Sequence, residues 1–258
     1  MKINLASAPL VEPAVRRLSA LAPLTDYEVS LLQASARQPR RLRPHREIQV
    51  ELQTRAAPSI VLSGWACHVR TFADGRRQIL GLLLPGDVIA FHGERDAPAT
   101  STVATLTDVT VCSMPPATGG DGELSALAAA YRRSAALHEA YLFRHIARLG
   151  RLNALERMSD WLLELRDRFE LAGMVEHDRF AMPLTQEVLA DLLGLTSVHV
   201  NRTLQTMRRE ELIDLRSGVL RLLAPDRLAL LGSCRQLGER EQLHSFPAGR
   251  QGRFDNMR

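Results

Sequence analysis

From about Leu42 to Met114 the chain alternates apolar and polar residues in short runs broken by turns. Ile48-Gln49-Val50-Glu51-Leu52 has the two-residue period of a half-buried strand. Ile60-Val61-Leu62 runs into Ser63-Gly64, and Cys67 to Arg70 leads to Ala73-Asp74-Gly75. Asp-Gly supplies the positive φ of a tight hairpin turn. Gln78 to Leu84 is the return strand, ending at Pro85-Gly86-Asp87, and Thr100 to Val111 alternates again. Turns at this spacing predict an antiparallel sandwich or roll.

Beyond Pro115-Pro116 and Gly119-Gly120-Asp121-Gly122 the period becomes helical. Glu123 to Leu149 holds no Pro or Gly, and one seam runs Leu124, Ala128, Tyr131, Ala135, His138, Leu142, His145, Leu149. Its steps alternate between three and four, so it reads as a heptad seam and a dimer interface. After Gly150 a second helix spans about Asn153 to Leu171, with Leu155, Met158, Leu162 and Leu165 on one face. Before Leu42, a helical lead-in carrying Leu18, Leu21 and Leu24 meets Thr25-Asp26-Tyr27-Glu28, a helix cap and first turn. These patterns divide the chain into 1–122 (lead-in helices and β-roll), 123–150 (dimerisation helix), 151–232 and a tail, 233–258, whose polar residues and Gly and Pro breaks read as mobile.

Residues Leu184 to Leu222 carry the most specific signal. Thr185 can cap a helix whose buried side is Leu189, Leu192 and Leu193. Gly194 suits the positive φ of a tight interhelical turn, and Thr196 can cap the next helix, Ser197 to about Glu210. Val200 and Leu204 face inward there, leaving Ser197, His199, Asn201 and Arg202 to project. That is a helix-turn-helix presenting polar side chains to a major groove. Two short strands, 212–215 and 219–222, flank Arg216-Ser217-Gly218 and add a wing.

Composition narrows the alternatives. The 258 residues hold 33 Lys+Arg, 29 Asp+Glu and three cysteines, with 45% hydrophobic residues, an ordinary globular balance. Residues 1–143 carry 15 basic and 13 acidic groups, 144–216 carry 11 and 12, and 221–258 carry 7 and 4. At that scale no segment has the single-sign excess of an electrostatic footprint, so DNA binding rests on pattern. Cys67, Cys112 and Cys234 show no CxxC spacing, and no stretch has the ~20 apolar residues of a membrane span. A reducing cytoplasm is the expected compartment.

Leu184 to Gln205, with the Ser63-Gly64 and Leu84-Pro-Gly-Asp-Val-Ile89 turns upstream, resembles the Crp/Fnr family of bacterial transcription regulators. The likeness spans about Leu18 to Leu231. It implies an α+β chain: an N-terminal, jelly-roll-like antiparallel β-roll, a long dimerisation helix and a C-terminal winged helix-turn-helix. It implies double-stranded DNA and a second copy of the chain as partners, RNA polymerase as a further candidate partner, and no catalysis. Arg202 matches the family's recognition-helix arginine, whose fork can take guanine O6 and N7. Val198 falls where many members carry a glutamate, so the usual family operator is not implied. Thr185, Gln186, Thr196, Ser197, His199 and Asn201 complete the expected DNA-binding set.

The sensor half departs from the cyclic-nucleotide-binding members. Phe91 stands at their ribose-binding glutamate and Ala99-Thr100 at their phosphate-binding Arg-Ser pair, although a shifted register would bring in Glu94 and Arg95. Residues 1–66 contain no cysteine, which excludes the family's N-terminal iron–sulfur sensor. No cofactor is implied. Haem and an unidentified small effector stay open, with His68, His92, His138 and His145 as candidate axial ligands. His138 and His145 on the seam suggest a dimer weakened by protonation. The competing class is a cupin-like enzyme or ligand-binding protein whose winged helix is only an interaction module. It would need a metal set from His45, His68 and His92, which lack HxH spacing.

Overall fold

The alternating half of the chain closes into two facing antiparallel sheets. In the computed structural model, which describes residues 10–54, 56–90, 98–117 and 125–232, the first sheet combines β1 (Arg40–Leu42), β3 (Ser59–Ser63), β6 (Val88–Ile89) and β8 (Val109–Ser113) in the order β1-β8-β3-β6. The second combines β2 (Glu47–Gln49), β4 (Ala66–Thr71), β5 (Arg77–Leu83) and β7 (Thr102–Thr105) in the order β2-β7-β4-β5. Val61, Ala66, Leu83, Ile89, Val103, Val109 and Val111 form one buried cluster of the roll. Strand β7 alternates half-buried and buried residues as its sequence does, whereas β3 and β8 are buried on both faces.

Two expected strands are shorter than their patterns. Ile48 to Leu52 stops at Gln49, and Leu52 sits 80% exposed in a turn at φ 64°. Thr100 to Val111 splits into β7 and β8, which belong to different sheets. A period of two cannot register a turn between two segments of the same phase.

The lead-in is two helices, α1 (Glu12–Leu21) and α2 (Asp26–Ser35). Thr25 and Glu28 form the expected capping box, and Glu28 Oε1 also accepts from the Leu127 amide at 2.7 Å. That bond ties the lead-in to α3 (Ala126–Arg151). Ala14, Leu18 and Leu21 of α1 join Ala130 and Tyr131 of α3 in one buried cluster. After Leu152, Asn153 caps α4 (Ala154–Leu171), where it accepts from the Leu155 and Glu156 amides.

The third region is a winged helix: β9 (Arg179–Ala181), α5 (Gln186–Leu193), α6 (Ser197–Arg209), β10 (Ile213–Arg216), β11 (Val219–Leu222) and α7 (Pro225–Gly232). The wing has a third strand that the sequence reading lacked, β9 pairing with β11. The winged helix does not own a separate core. Trp65, Cys67, Val69, Ile79, Leu82 and Leu84 of the roll share one buried cluster with Met158, Trp161, Phe169, Leu192 and Leu204.

The heptad seam is the main correction. Tyr131 is 1% exposed and His145 6%, both buried inside the protomer. Ala135 and His138 line a cavity in the roll, and Leu142 lies beside Gly81 of β5. Leu149 packs beside Gly194. Leu124 lies outside the described residues, as do Phe91, His92, Glu94, Arg95, Cys234 and the tail. The opposite face of α3 exposes Arg132, Ala136, Glu139, Phe143, Ile146 and Ala147. Two stripes on one helix repeat at steps of three and four, and the sequence reading chose the one that the roll covers.

Candidate nucleic-acid interface

Each helix of the helix-turn-helix is capped as its sequence requires. Thr185 Oγ1 accepts from the Val188 amide at 3.3 Å, and Thr196 Oγ1 accepts from the His199 amide at 3.2 Å. Between them Gly194 adopts φ 62°, ψ 41°. That left-handed conformation is what calls for glycine, while the tip of the Leu149 side chain, 3.2 Å from where a Cβ would stand, packs against the turn.

Helix α6 is two-faced. Val200, Leu204 and Met207 are buried, while Ser197, Val198, His199, Arg202 and Gln205 are exposed. Arg202 has no hydrogen bond or ion pair among the described residues, so its guanidinium fork is available to an external acceptor. Asn201 is half-buried, and its Nδ2 donates to Gln186 Oε1 at 3.1 Å. That bond fixes the two starting turns against each other. It leaves Gln186 Nε2 as a donor and Asn201 Oδ1 as an acceptor. Ser197, Val198, His199 and Arg202 thus lie exposed on α6, Asn201 ties that helix to Gln186 of α5, and Thr185 and Thr196 act as caps. Gln205, one turn beyond Asn201, belongs to the same exposed face and was not singled out. Its signal was the i, i+4 spacing from Asn201 and Arg202's neighbourhood. At the wing tip Ser217 and Gly218 both take positive φ, as a tight hairpin turn needs.

The roll grips this unit directly. Gln78 Nε2 donates to Leu192 O at 3.2 Å, and Arg77 pairs with Asp191 at 2.8 Å. Behind them lies a chain of buried charges. Asp87 binds Arg17 of α1 and Arg168 of α4, each at 2.7 Å, and accepts from the Leu84 amide at 2.7 Å. A Cβ at Gly86, whose φ is 90°, would come within 2.7 Å of the Arg17 side chain, so glycine admits the arginine here. Arg148 of α3 binds Asp160 and Glu164 of α4, both at 2.6 Å. Burial would raise the Asp87 pKa, but Arg17 and Arg168 hold its carboxyl below the usual range.

Between the roll and α3 lies a cavity of about 80 Å³ lined by Gln49, His68, Asp87, Tyr131, Ser134 and His138. The His68 and His138 rings lie 4.9 Å apart, and His68 Nδ1 is 2.7 Å from Ser101 Oγ. Among the described residues no three His, Cys, Asp or Glu side chains converge on a metal position. Cys67 and Cys112 are free and buried, and burial pushes the Cys67 thiol up to about 12.

The histidines predict an acid sensitivity of the protomer rather than of a dimer seam. Burial, with the neighbouring His138, pushes His68 down to about 3. Burial, with the Arg148 charge, pushes His145 down to about 4. In the unfolded chain both titrate near 6.5. Depressed bases stabilise the fold fully above pH ~6.5 and lose that contribution as pH falls toward their folded values. The urea midpoint should therefore drop between pH ~7 and pH ~5 at constant protein concentration, and less so in His145→Gln.

Residues 156–231 match the Crp-like helix-turn-helix domain family, and residues 40–118 match the cyclic nucleotide-binding domain family. The chain is 32% identical to the nitrogen fixation regulation protein FixK of Bradyrhizobium diazoefficiens, over 67% of this chain and 73% of that one. The fold is similar to that of FixK2 from Bradyrhizobium japonicum, with a TM-score of 0.66 and 24% identity over 77% of this chain and 98% of that one. It is also similar to a CRP/FNR-family transcriptional regulator of Thermus thermophilus, with a TM-score of 0.58 and 20% identity over 77% and 100% of the two chains. Among the described residues no helix is long and apolar enough to cross a membrane.

Proposed function

The chain belongs to the Crp/Fnr family of DNA-binding transcription regulators, and on that premise we propose that it reads a two-fold operator as a homodimer, one α6 per half-site. The observation that carries this reading is Arg202: exposed, without an intramolecular partner, and on a helix whose other face is buried. In each half-site Arg202 takes a guanine edge and Val198, 58% exposed, touches a thymine methyl. Ser197, His199 and Asn201 lie beside them, and the backbone amides that start α5 and α6 at Thr185, Gln186 and Thr196 hold phosphates.

The second copy covers the outer face of α3. Phe143 and Ile146 are 63% and 66% exposed there, at the i, i+3 spacing of a two-helix seam. Phe143→Asp/Ile146→Asp should raise the dimer dissociation constant about a hundred-fold or more, because each apolar side chain loses ~1.5–3 kcal/mol of burial. Sedimentation equilibrium measures this, and a Leu142→Ala control should dissociate little.

The roll is the sensor. Its cavity of about 80 Å³ is far smaller than the ~300–1,000 Å³ of sites for larger organic ligands, which favours an effector of few atoms over a cyclic nucleotide. An effector beside Asp87 would act on α4 through Arg168 and so on the spacing of the two α6 helices.

Selection of bound duplexes from fragmented genomic DNA tests the reading. A palindromic site with half-sites about one helical turn apart is expected. Recovery of sequences with no common site would overturn it.

A further inference from the structure

Asn201 is an unusual residue for its place. Inside a helix asparagine is less favourable than alanine, because its amide competes for the backbone. Among the described residues this amide binds no backbone group; its Nδ2 crosses to Gln186 Oε1 of α5 at 3.1 Å. Anchoring the two helices does not require that bond. They already meet through buried Leu189, Leu192, Val200 and Leu204, and Arg157 Nη1 donates to Leu193 O at 2.9 Å where α5 ends. An exposed amide–amide bond adds little beside that burial.

What the bond does is hold an amide still. An unrestrained asparagine amide turns freely about χ2 and offers its oxygen and nitrogen in exchange. With one Nδ2 hydrogen committed to Gln186, Asn201 keeps its second hydrogen and Oδ1, one donor beside one acceptor. The reverse pairing, Gln186 Nε2 donating to Asn201 Oδ1, would leave Asn201 the same two kinds of group. In the major groove adenine presents an N7 acceptor and an N6 donor, which match them both. Guanine presents two acceptors there, and thymine one acceptor and a methyl, so each leaves a group of Asn201 unmatched.

The amide also stands on the right face. Val198, Asn201, Arg202 and Gln205 fall at i, i+3, i+4 and i+7, one side of α6, and Asn201 is half-buried where exposed Gln186 lies against it. We propose that Asn201 is a second specificity-determining residue, which reads an adenine close to the Arg202 guanine, and that Gln186 is its positioning residue. Consecutive Cα atoms are ~3.8 Å apart and stacked base pairs ~3.4 Å, so the adenine falls within about two base pairs of the guanine. The inference rests on the operator-binding reading above and adds a second base to it.

The test is selection from random duplexes by wild type, then anisotropy with each variant on the selected duplex and on forms with one base pair changed in both half-sites. Wild type should prefer adenine at that position by about five-fold or more per half-site. Asn201→Ala, a better helix former, should lose this preference and keep the guanine preference. Arg202→Ala should do the reverse. Gln186→Ala should cut the adenine preference about two-fold or more, the cost of ordering a side chain that is no longer held. Gln186→Glu keeps an acceptor for Nδ2, so it should retain the preference while its charge lowers affinity for every duplex. Preference is a ratio of affinities, so it would not move if Gln186 only bound phosphate or only packed α5. A guanine preference with no adenine preference that Asn201→Ala removes would overturn this inference alone. An equal loss by Asn201→Ala on every duplex would overturn it too, since that marks a phosphate contact. An adenine preference that survives Gln186→Ala would remove the positioning role. A selected pool with no common site would overturn the operator reading, and this one with it.

Discussion

Arg202→Ala is expected to weaken operator binding by about 2–6 kcal/mol, or roughly thirty-fold to twenty-five-thousand-fold, from ~1–3 kcal/mol of base discrimination in each of two half-sites. The physical reason is the state of the side chain before binding. Arg202 is exposed and has no partner within the chain, so the fork meets guanine without first breaking an intramolecular bond. Its removal should leave the fold intact, because the anchors of α6 are Val200, Leu204 and Met207 on the other face. Fluorescence anisotropy with the selected duplex and with single-base variants measures the effect. Discrimination at the guanine should vanish, while affinity for unrelated duplex falls only a few-fold. Arg202→Lys keeps the charge but not the fork, so it should restore non-specific binding and little of the discrimination. Equal losses on operator and unrelated duplex would mean that Arg202 only holds a phosphate.

Asp87→Ala should destabilise the protomer by about 3–5 kcal/mol, the range for breaking a buried ion pair by deleting one partner. Arg17 and Arg168, with side chains 2% and 4% exposed, would keep their charges and lose the carboxylate between them. The Leu84 amide would lose its acceptor as well. Urea unfolding or calorimetry should show the midpoint falling by roughly 6–20 °C for a chain of this size. Because the triad joins α1, the turn after β5 and α4, the winged helix should also become more mobile relative to the roll. Hydrogen exchange at the Leu82–Asp87 and Arg168 amides reports that directly. A change below 1 kcal/mol would mean that water replaces the carboxylate at no cost. Acid should act in the same direction: protonating a carboxylate whose pKa is held low removes its stabilisation as pH falls through that value.

The same triad shows where reading a chain residue by residue stops. Pro85-Gly86-Asp87 is legible as a turn from composition alone. Nothing local says that Asp87 meets Arg17, seventy residues earlier, and Arg168, eighty-one residues later. Charged residues read as surface by default, and only the folded chain shows Arg17, Arg148, Asp160 and Arg168 buried together.

Charge also depended on the window. Averaged over 143 residues the N-terminal half is nearly neutral, yet ten of those residues hold five exposed arginines. Electrostatic attraction falls off over a Debye length of about 8–10 Å, so a patch of that size is the relevant unit.

The roll, the long helix and the winged helix were determined by the sequence itself. Their signals are local: the period of two around β2 and β7, the Asp-Gly hairpin, the Thr185 and Thr196 caps, and Gly194 between two helices. Each reflects a backbone preference that acts within a few residues. The exposed side of α6 was legible for the same reason, since the helix has one apolar face and the rest must point outward. What faced what was left to the tertiary structure. Helix α3 carries two stripes at heptad spacing, one closed by the roll and α1, the other exposed at Phe143 and Ile146. Periodicity reports that a face is apolar, but the neighbour that covers it is set by contacts distant in sequence.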